Sequence, residues 1–162
     1  MKTQFRPPSY VEGLRELIEK LPSGINGIEV GSAYGESAEV FLKSGKFAKL
    51  YCIDPWNGSA SEREQYFDER HANDPRVVKI KKKASDAVDD VPMADFVYID
   101  ACHQYDFVSE DIKNYRKKVK KGGYLAGHDY TYEYRDMVIR AVHEVFRQPH
   151  YVFRDGSWLV KL

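Results

Sequence analysis

Apolar positions along this chain fall into two patterns that alternate from one end to the other. In one pattern they recur every three to four residues, which is typical of helices that bury one face. In the other they form short runs bounded by Gly, Pro or Asp, which is typical of buried strands. Predicted helices occupy residues 9–21, 36–44, 61–72, 105–121 and 134–148. Predicted strands occupy residues 27–31, 49–54, 77–83, 94–100 and 123–129.

The end of the chain departs from this alternation. Two further apolar stretches, 150–154 and 157–162, flank Asp155-Gly156, a dipeptide typical of two-residue hairpin turns. Strands joined in this way run antiparallel, whereas strands that alternate with helices form a parallel sheet covered on both faces. The lysines of 77–83 indicate an edge strand. The sequence therefore predicts one α/β domain over residues 1–162, with a doubly wound, seven-stranded, mostly parallel sheet and a C-terminal antiparallel hairpin.

Composition narrows the class of protein. The 162 residues hold 25 Lys and Arg against 25 Asp and Glu, and this balance argues against a nucleic-acid binder. The cationic run 113–121 is expected to complement the carboxyl end of its helix. With no apolar signal segment and no run of membrane-spanning length, we expect a cytoplasmic protein with no membrane partner. Cys52 and Cys102 form no C-x-x-C pair, and both are expected to be buried free thiols.

A carboxylate, Glu29, lies inside the first predicted strand and is followed by Gly31 and Gly35. Burying a carboxylate without hydrogen-bond donors costs so much that the group neutralises or finds partners, and a bound ligand is one source of donors. The glycines would let the backbone approach such a ligand closely. Their G-x-x-x-G spacing differs from the G-x-G-x-x-G of pyrophosphate binding, so a ligand with a ribose and no pyrophosphate is favoured.

Polar side chains also follow the other predicted strands. In open parallel sheets, ligands bind outside the carboxyl ends of the strands. An acid at the end of the second strand can accept hydrogen bonds from both hydroxyls of a ribose. The residues at these ends are Asp54, Ser85, Asp86, Asp100, His128 and Asp129.

Taken in chain order, these motifs resemble class I S-adenosylmethionine-dependent methyltransferases of the small-molecule O-methyltransferase branch. EVGSAYG (29–35) is similar to that fold's first motif, E-x-G-x-x-x-G, and CIDPW (52–56) to its acidic second-strand end. The stretch 99–111 is similar to IDG-x-H-x-Y-x-x-V-x-x-D, and 122–129 to GG-x-x-x-x-HD. The resemblance runs from about residue 27 to 146. It departs at Ala101 and Cys102, where that branch often has Gly-Asp.

This resemblance implies that S-adenosylmethionine is the cofactor. Glu29 would hold the methionine amino group, unless it is a salt-bridged strand residue, and Trp56 would pack on the adenine or fill the core. Ser85 and Asp86 would contact the adenine or cap a short helix. The implied cofactor-binding residues are Glu29, Gly31, Ser32, Tyr34, Gly35, Asp54, Trp56, Ser85, Asp86 and Asp100.

The resemblance also places the reaction beside Asp100 and His103. A histidine titrates near neutral pH and can take the proton of an acceptor hydroxyl as a general base. The alternative is a capping or core histidine. A divalent cation such as Mg²⁺, held by Asp100, Asp129 and His128, could acidify the hydroxyl instead. Otherwise Asp129 caps a turn and His128 pairs internally.

The function predicted in this way is methyl transfer from S-adenosylmethionine to a hydroxyl of a small molecule or sugar. Two alternatives remain: a degenerate module that binds the cofactor without catalysis, and transfer to another acceptor atom. The chain carries little that would cover an acceptor, so a second copy or a partner protein could complete the substrate pocket. A nicotinamide-binding domain is disfavoured by the glycine spacing and the hairpin.

Overall fold

The computed structural model describes residues 7–58, 61–131 and 136–162, and these form a sheet with helices on both faces. The strands are β1 (Ile25–Val30), β2 (Phe47–Ile53), β3 (Val77–Ile80), β4 (Ala94–Ile99), β5 (Val119–Gly127), β6 (Tyr151–Val152) and β7 (Trp158–Lys161). The helices are α1 (Pro8–Glu19), α2 (Glu36–Lys43), α3 (Ser61–His71), α4 (Ala84–Ala87), α5 (Tyr105–Tyr115) and α6 (Met137–Phe146).

The strand order is β3-β2-β1-β4-β5-β7-β6. All pairs among β1 to β5 are parallel, whereas β7 runs antiparallel to both β5 and β6. The predicted seven-stranded sheet with a C-terminal antiparallel hairpin is confirmed, and so is the edge position of the third strand. Because strand order reverses beside β1, a crevice opens there at the carboxyl ends of β1 and β4.

Alternation along each strand builds one apolar cluster on each face. Phe96 and Tyr98 of β4 pack with residues of α1 and α2. Val97 and Ile99 point the other way and pack with residues of α5 and α6. Each fully buried aliphatic or aromatic side chain contributes on the order of 1.5–3 kcal/mol, so the two clusters hold the helices to the sheet. None of the described helices is both long and apolar enough to cross a bilayer.

The helix predicted over 105–121 ends earlier, at Tyr115, and a short 3₁₀ turn leads directly into β5. Val119 pairs with Ala94 in the sheet, and Lys120 binds Asp95 at 2.9 Å. Strand pairing therefore overrides the helical pattern, and the last lysines of the run 113–121 lie in β5. The third strand is also shorter than predicted, ending at Ile80. The predicted start of the last helix lies outside the described residues, which resume at residue 136.

The hairpin turn differs from the two-residue turn that was predicted. Phe153 donates its N–H to the carbonyl of Ser157, and Gly156 donates to the carbonyl of Phe153. Gly156 has a φ of 85°, the left-handed conformation that ends a three-residue hairpin loop. The Asp155 carboxylate accepts the Ser157 N–H at 3.0 Å, which fixes the longer loop.

Candidate functional site

A cleft of about 490 Å³ lies at the carboxyl ends of β1, β2 and β4. A smaller recess of about 240 Å³ lies on the other side of the loop that follows β1. Gly31, Ala33 and Arg63 line both, so one ligand can extend across the loop. A larger groove of about 800 Å³ lies between α1 and α2, is lined mostly by charged side chains of the helices, and contains none of the strand-end residues.

Gly31 lets the backbone at the end of β1 pack against the backbone at the end of β4. Its φ is 94°, and a Cβ there would lie 2.2 Å from the carbonyl oxygen of Asp100. The Gly31 N–H donates to the Ile53 carbonyl at 2.8 Å, and the Asp100 N–H donates to the Val30 carbonyl at 2.8 Å. Only glycine fits this contact between two backbones, so Gly31 brings the two loops of the cleft together.

Gly35 was expected to let the backbone approach a ligand, but the structure shows that packing against His71 requires glycine here. Its φ is 76° where α2 begins, and a Cβ would lie 2.5 Å from Nε2 of His71. The His71 ring lies 2.9 Å from the Gly35 carbonyl oxygen. Packing of α3 against the loop thus requires glycine here, independently of any ligand. Between the two glycines, the side chains of Ser32 and Tyr34 line the recess.

Asp54 ties the loop to the end of β2. One carboxylate oxygen accepts the Ala33 N–H at 3.0 Å and the other accepts the Trp56 N–H at 2.8 Å. A carboxylate oxygen has two lone pairs, so each oxygen retains acceptor capacity. Asp54 lines the cleft, where this capacity is available to hydroxyl donors.

Trp56 does not lie in the cleft. Its side chain is 1% exposed, its ring packs 4.8 Å from that of Phe67, and its Nε1 donates to the Ala33 carbonyl at 2.8 Å. The prediction that Trp56 packs on a ligand is not supported, and the core position that was the alternative is the one observed. Its φ of 39° lies in the left-handed region, and its ring packs against α3.

Glu29 is completely buried on the α2 side of the sheet, between Cys52 and Tyr98 in the neighbouring strands. Ser37 donates its hydroxyl to one Glu29 oxygen at 2.5 Å, and the other oxygen has no hydrogen-bond partner among the described residues. Burial raises the pKa of Glu29 to about 7, although the hydroxyls of Ser32 and Ser37 offset part of that effect. Ser37 lines the recess, so Glu29 lies behind it rather than in the wall.

The two predicted site residues that follow β3, Ser85 and Asp86, lie in different environments. Ser85 lines the cleft, whereas Asp86 is exposed outside the lining and lies 3.2 Å from the Ser85 hydroxyl. Lys83 precedes α4 and makes no side-chain cap, so neither residue caps this helix as the alternative proposed. Ser85 keeps its predicted place and Asp86 does not.

Asp100, His103 and Asp129 form a cluster at the wall of the cleft, which Asp100 and His103 line. His103 Nε2 lies 2.7 Å from Asp129 Oδ2 and 3.8 Å from Asp100 Oδ1. These contacts, with Asp100 as the largest influence and Asp129 next, raise the pKa of His103 to about 10. Burial would raise the pKa of Asp129, but its contacts with His103 and His128 hold it well below its usual range. The cluster is therefore an imidazolium between two carboxylates.

His128 lies behind this cluster and contacts one of its carboxylates, Asp129. Its Nδ1 lies 3.1 Å from Asp129, its Nε2 lies 3.5 Å from Asp155, and its ring lies 4.8 Å from that of Tyr10. Burial lowers its pKa, but the two carboxylates outweigh this and raise it to about 9. The ligand atoms that come within 4.8 Å of one another belong to Asp100, His103 and Asp129. The predicted cation set is thus corrected at one position, with His103 in place of His128.

Sequence reasoning missed three residues of the site. Tyr10 donates its hydroxyl to Asp100 at 3.1 Å, although in sequence it is one apolar position of α1. Cys102 was expected to be buried, yet it is exposed and lines the cleft. Asp111 lines the same cleft from α5, and its only signal is the V-x-x-D spacing quoted above.

Comparison with known proteins agrees with this geometry. A family model described as a methyltransferase domain matches residues 28–130. An uncharacterised protein of Acanthamoeba polyphaga mimivirus is 28% identical over 144 residues, which is 83% of this chain. This chain spans 64% of the length of that protein.

Solved structures share the fold at low sequence identity. An O-methyltransferase from Bacillus cereus, in complex with SAH, has a TM-score of 0.71 at 16% identity, over 100% of this chain and 84% of that chain. Precorrin 8w decarboxylase from Methanobacterium thermoautotrophicum has a TM-score of 0.68 at 16% identity, over 96% and 90% of the two chains. Proteins with different named reactions thus share this fold, and the likeness shows the fold alone.

Proposed function

Because the chain belongs to the methyltransferase-domain family, we propose that it transfers a methyl group from S-adenosylmethionine to a hydroxyl oxygen of a small molecule or sugar. One observation carries the proposal: Gly31 joins the Asp54 side of the cleft to the Asp100–His103–Asp129 cluster. A ligand held on the Asp54 side would therefore present its reactive group beside a histidine and two carboxylates.

The residues of the cleft fit the parts of the proposed cofactor. Asp54 offers acceptor lone pairs for two ribose hydroxyls. The recess beyond Gly31 is lined by hydroxyl groups, among them Ser32 and Ser37, and by the cation Arg63. Hydroxyl and guanidinium groups suit an amino-acid moiety with both charges. Glu29 would act on its amino group through Ser37 or a water molecule, because the carboxylate itself is buried.

The cofactor supplies an electrophilic methyl group on sulfur, and the chain supplies the means to take up a proton. When the acceptor oxygen bonds to the methyl carbon, the carbon–sulfur bond breaks and the hydroxyl proton must leave. His103 lines the cleft and would accept that proton once its ring is neutral. Asp129, at 2.7 Å, then stabilises the imidazolium that forms.

A divalent cation is the alternative means of acidifying the acceptor. Two carboxylates and an imidazole with ligand atoms within 4.8 Å fit such an ion, which would be held by Asp100, His103 and Asp129. If this route operates, exhaustive EDTA treatment should abolish turnover, and Mg²⁺ or Mn²⁺ should restore it, with little change in cofactor affinity. Full turnover after chelation would leave deprotonation to His103 alone.

Binding of the product cofactor tests the proposal most directly. Asp54→Ala should weaken the affinity for S-adenosylhomocysteine roughly 10- to 150-fold, because charged hydrogen bonds are worth about 1.5–3 kcal/mol. Isothermal titration calorimetry gives the affinity, and Asp86→Ala, which alters an exposed acid outside the cleft, is the matched control. Equal affinities of the two variants would remove Asp54 from the site.

The acceptor and the means of covering it are part of the same proposal. Phe107 and Cys102 are exposed beside the cluster, where an acceptor would lie. A homo-oligomer or a partner protein could cover them. Release of S-adenosylhomocysteine with pooled alcohols, phenols and sugars separates an active enzyme from a module that only binds the cofactor. Binding without product in any pool would favour the degenerate module.

A further inference from the structure

Asp155 is a buried carboxylate that takes no part in the proposed mechanism. It lies in the hairpin loop between β6 and β7, and its side chain is 1% exposed. Ser157 donates its N–H to one Asp155 oxygen at 3.0 Å and its hydroxyl to the other at 2.8 Å. Two neutral donors do not balance a buried charge, so the carboxylate requires a further partner.

His128 is that partner, and it connects Asp155 to the cluster at the cleft wall. Its Nε2 lies 3.5 Å from Asp155, and its Nδ1 lies 3.1 Å from Oδ1 of Asp129. The other oxygen of Asp129 lies 2.7 Å from Nε2 of His103. The His128 ring therefore bridges two carboxylates, and through it the hairpin loop reaches the proposed general base.

Gly13 of α1 leaves the space that Asp155 occupies. A Cβ at Gly13 would lie 2.1 Å from both Cγ and Oδ1 of Asp155, so the carboxylate lies directly against the helix backbone. Glycine inside a helix costs about 0.5–1 kcal/mol relative to alanine. At this position α1 is therefore less stable than an alanine would make it, and an alanine would displace the carboxylate.

The hairpin loop also restrains the backbone of Asp129. Asp129 has a φ of 59°, which is uncommon for residues other than glycine. The next residue, Tyr130, donates its N–H to the carbonyl of Gly156 in the hairpin loop at 2.9 Å. The main chain of the loop thus holds the backbone beside Asp129, and the contact with His128 at one carboxylate oxygen leaves the other directed at His103.

We propose that Asp155 is a positioning residue, which acts through His128 to hold the Asp129 carboxylate in the orientation that meets His103. The inference rests on the proposed function, because it extends the machinery of the same reaction. Without the charge of Asp155, His128 would keep one carboxylate partner and would be free to turn together with Asp129. Displacing a catalytic group by about 1 Å can cost roughly 10²-fold in rate.

The test measures kcat, with an acceptor that the pooled assay identifies, and the affinity for S-adenosylhomocysteine by calorimetry. Asp155→Asn keeps the shape of the side chain and removes its charge. It should lower kcat about 10- to 100-fold and change the affinity by less than about 3-fold. Gly13→Ala leaves every charged group in place but displaces the Asp155 carboxylate, and His128→Gln removes the bridge. Both should lower kcat in the same range, again with the affinity kept.

Arg154→Ala is the matched control for loosening the hairpin loop. Arg154 precedes Asp155 and also binds α1, through exposed ion pairs with Glu12 and Glu16. Exposed ion pairs contribute little, so this variant should keep kcat within about 2-fold. A double variant, Asp155→Asn with His128→Gln, should turn over as slowly as His128→Gln alone, because two residues that act through one contact are not additive.

The outcomes separate the inference from the proposed function. No turnover by the wild-type protein with any acceptor would overturn the proposed function and this inference with it. A folded Asp155→Asn protein with the wild-type kcat would overturn the inference alone. If Asp155→Asn fails to fold, Gly13→Ala decides in its place, because alanine favours the helix. Equal losses of kcat in Arg154→Ala and Asp155→Asn, or losses that multiply in the double variant, would show that Asp155 does not act through His128, which also overturns the inference.

Discussion

Replacing His103 by alanine should lower kcat by about 10²- to 10⁴-fold, the usual contribution of a general base, and leave the affinity for S-adenosylhomocysteine nearly unchanged. The imidazole belongs to the cluster with Asp129 and does not lie in the loop that Asp54 binds. Turnover, affinity and melting temperature should be measured on the same preparations. His150→Ala is the matched control, because it also replaces a histidine, but one in the C-terminal hairpin, where the ring accepts the Lys161 N–H.

The pH dependence of turnover tests the same residue. Because Asp100 and Asp129 raise the pKa of His103 to about 10, the neutral form that can accept a proton increases as pH rises toward that value. The ascending limb of the rate should therefore lie well above 6.5, the ordinary histidine value that the sequence suggested. Asp129→Asn removes a negative charge from beside the imidazolium, so the limb should move to lower pH.

Titration of the His103 ring by NMR measures this shift without any turnover. Wild-type and Asp129→Asn rings that both titrate near 6.5 would show that the carboxylates do not control this histidine. Normal turnover of His103→Ala would instead assign deprotonation to a cation or to the substrate.

The second large effect concerns Gly31→Ala. The new Cβ would lie 2.2 Å from the Asp100 carbonyl oxygen, and the nearest atoms all belong to the backbone of Asp100 and Ala101, which leaves little room to relax. Gly45→Ala is a matched control, since Gly45 has a similar φ of 72° but no neighbouring atom within 4 Å of a Cβ. The control should lose about 1–2 kcal/mol from the left-handed conformation alone.

The free energy of unfolding of Gly31→Ala should fall by that amount and by roughly a further 1–3 kcal/mol, because the new methyl group overpacks the contact. Urea denaturation gives the free energy of unfolding of both variants, and calorimetry should show that only Gly31→Ala loses cofactor binding. Equal destabilisation of the two would mean that the loops separate easily, against the contact observed.

Much of this molecule could be predicted because local pattern and global fold agree. The alternation of short apolar runs with helical periods predicted the parallel sheet, and the strand ends predicted where polar side chains would meet. Asp54 and Asp100 reach the cleft simply because parallel strands end at one edge. Gly31 could be identified from its place after the first strand, although not the backbone contact that requires it.

The features that could not be predicted depend on contacts between residues that are far apart in the sequence. Asp155, in the hairpin turn, contacts the second ring nitrogen of His128, and it can do so only because Gly13 leaves room for it beside α1. Trp56 looked accessible after a strand end, but its positive φ and Phe67 place it in the core. Periodicity carries no information about such pairs, since each depends on the final packing.

The position of β7 has a consequence for biosynthesis. Residues 158–161 lie between β5 and β6, and the Trp158 ring packs 2.7 Å from where a Cβ of Gly127 would be. Until residues 158–161 have left the ribosome, β5 has an unpaired edge. The space beside Gly127 that the Trp158 ring fills is then also empty. Exposed strand edges recruit other chains, so nascent copies on one polysome are at risk of pairing with each other. We expect shortened chains that lack residues 158–161 to aggregate during expression instead of accumulating as soluble, weakly active domains.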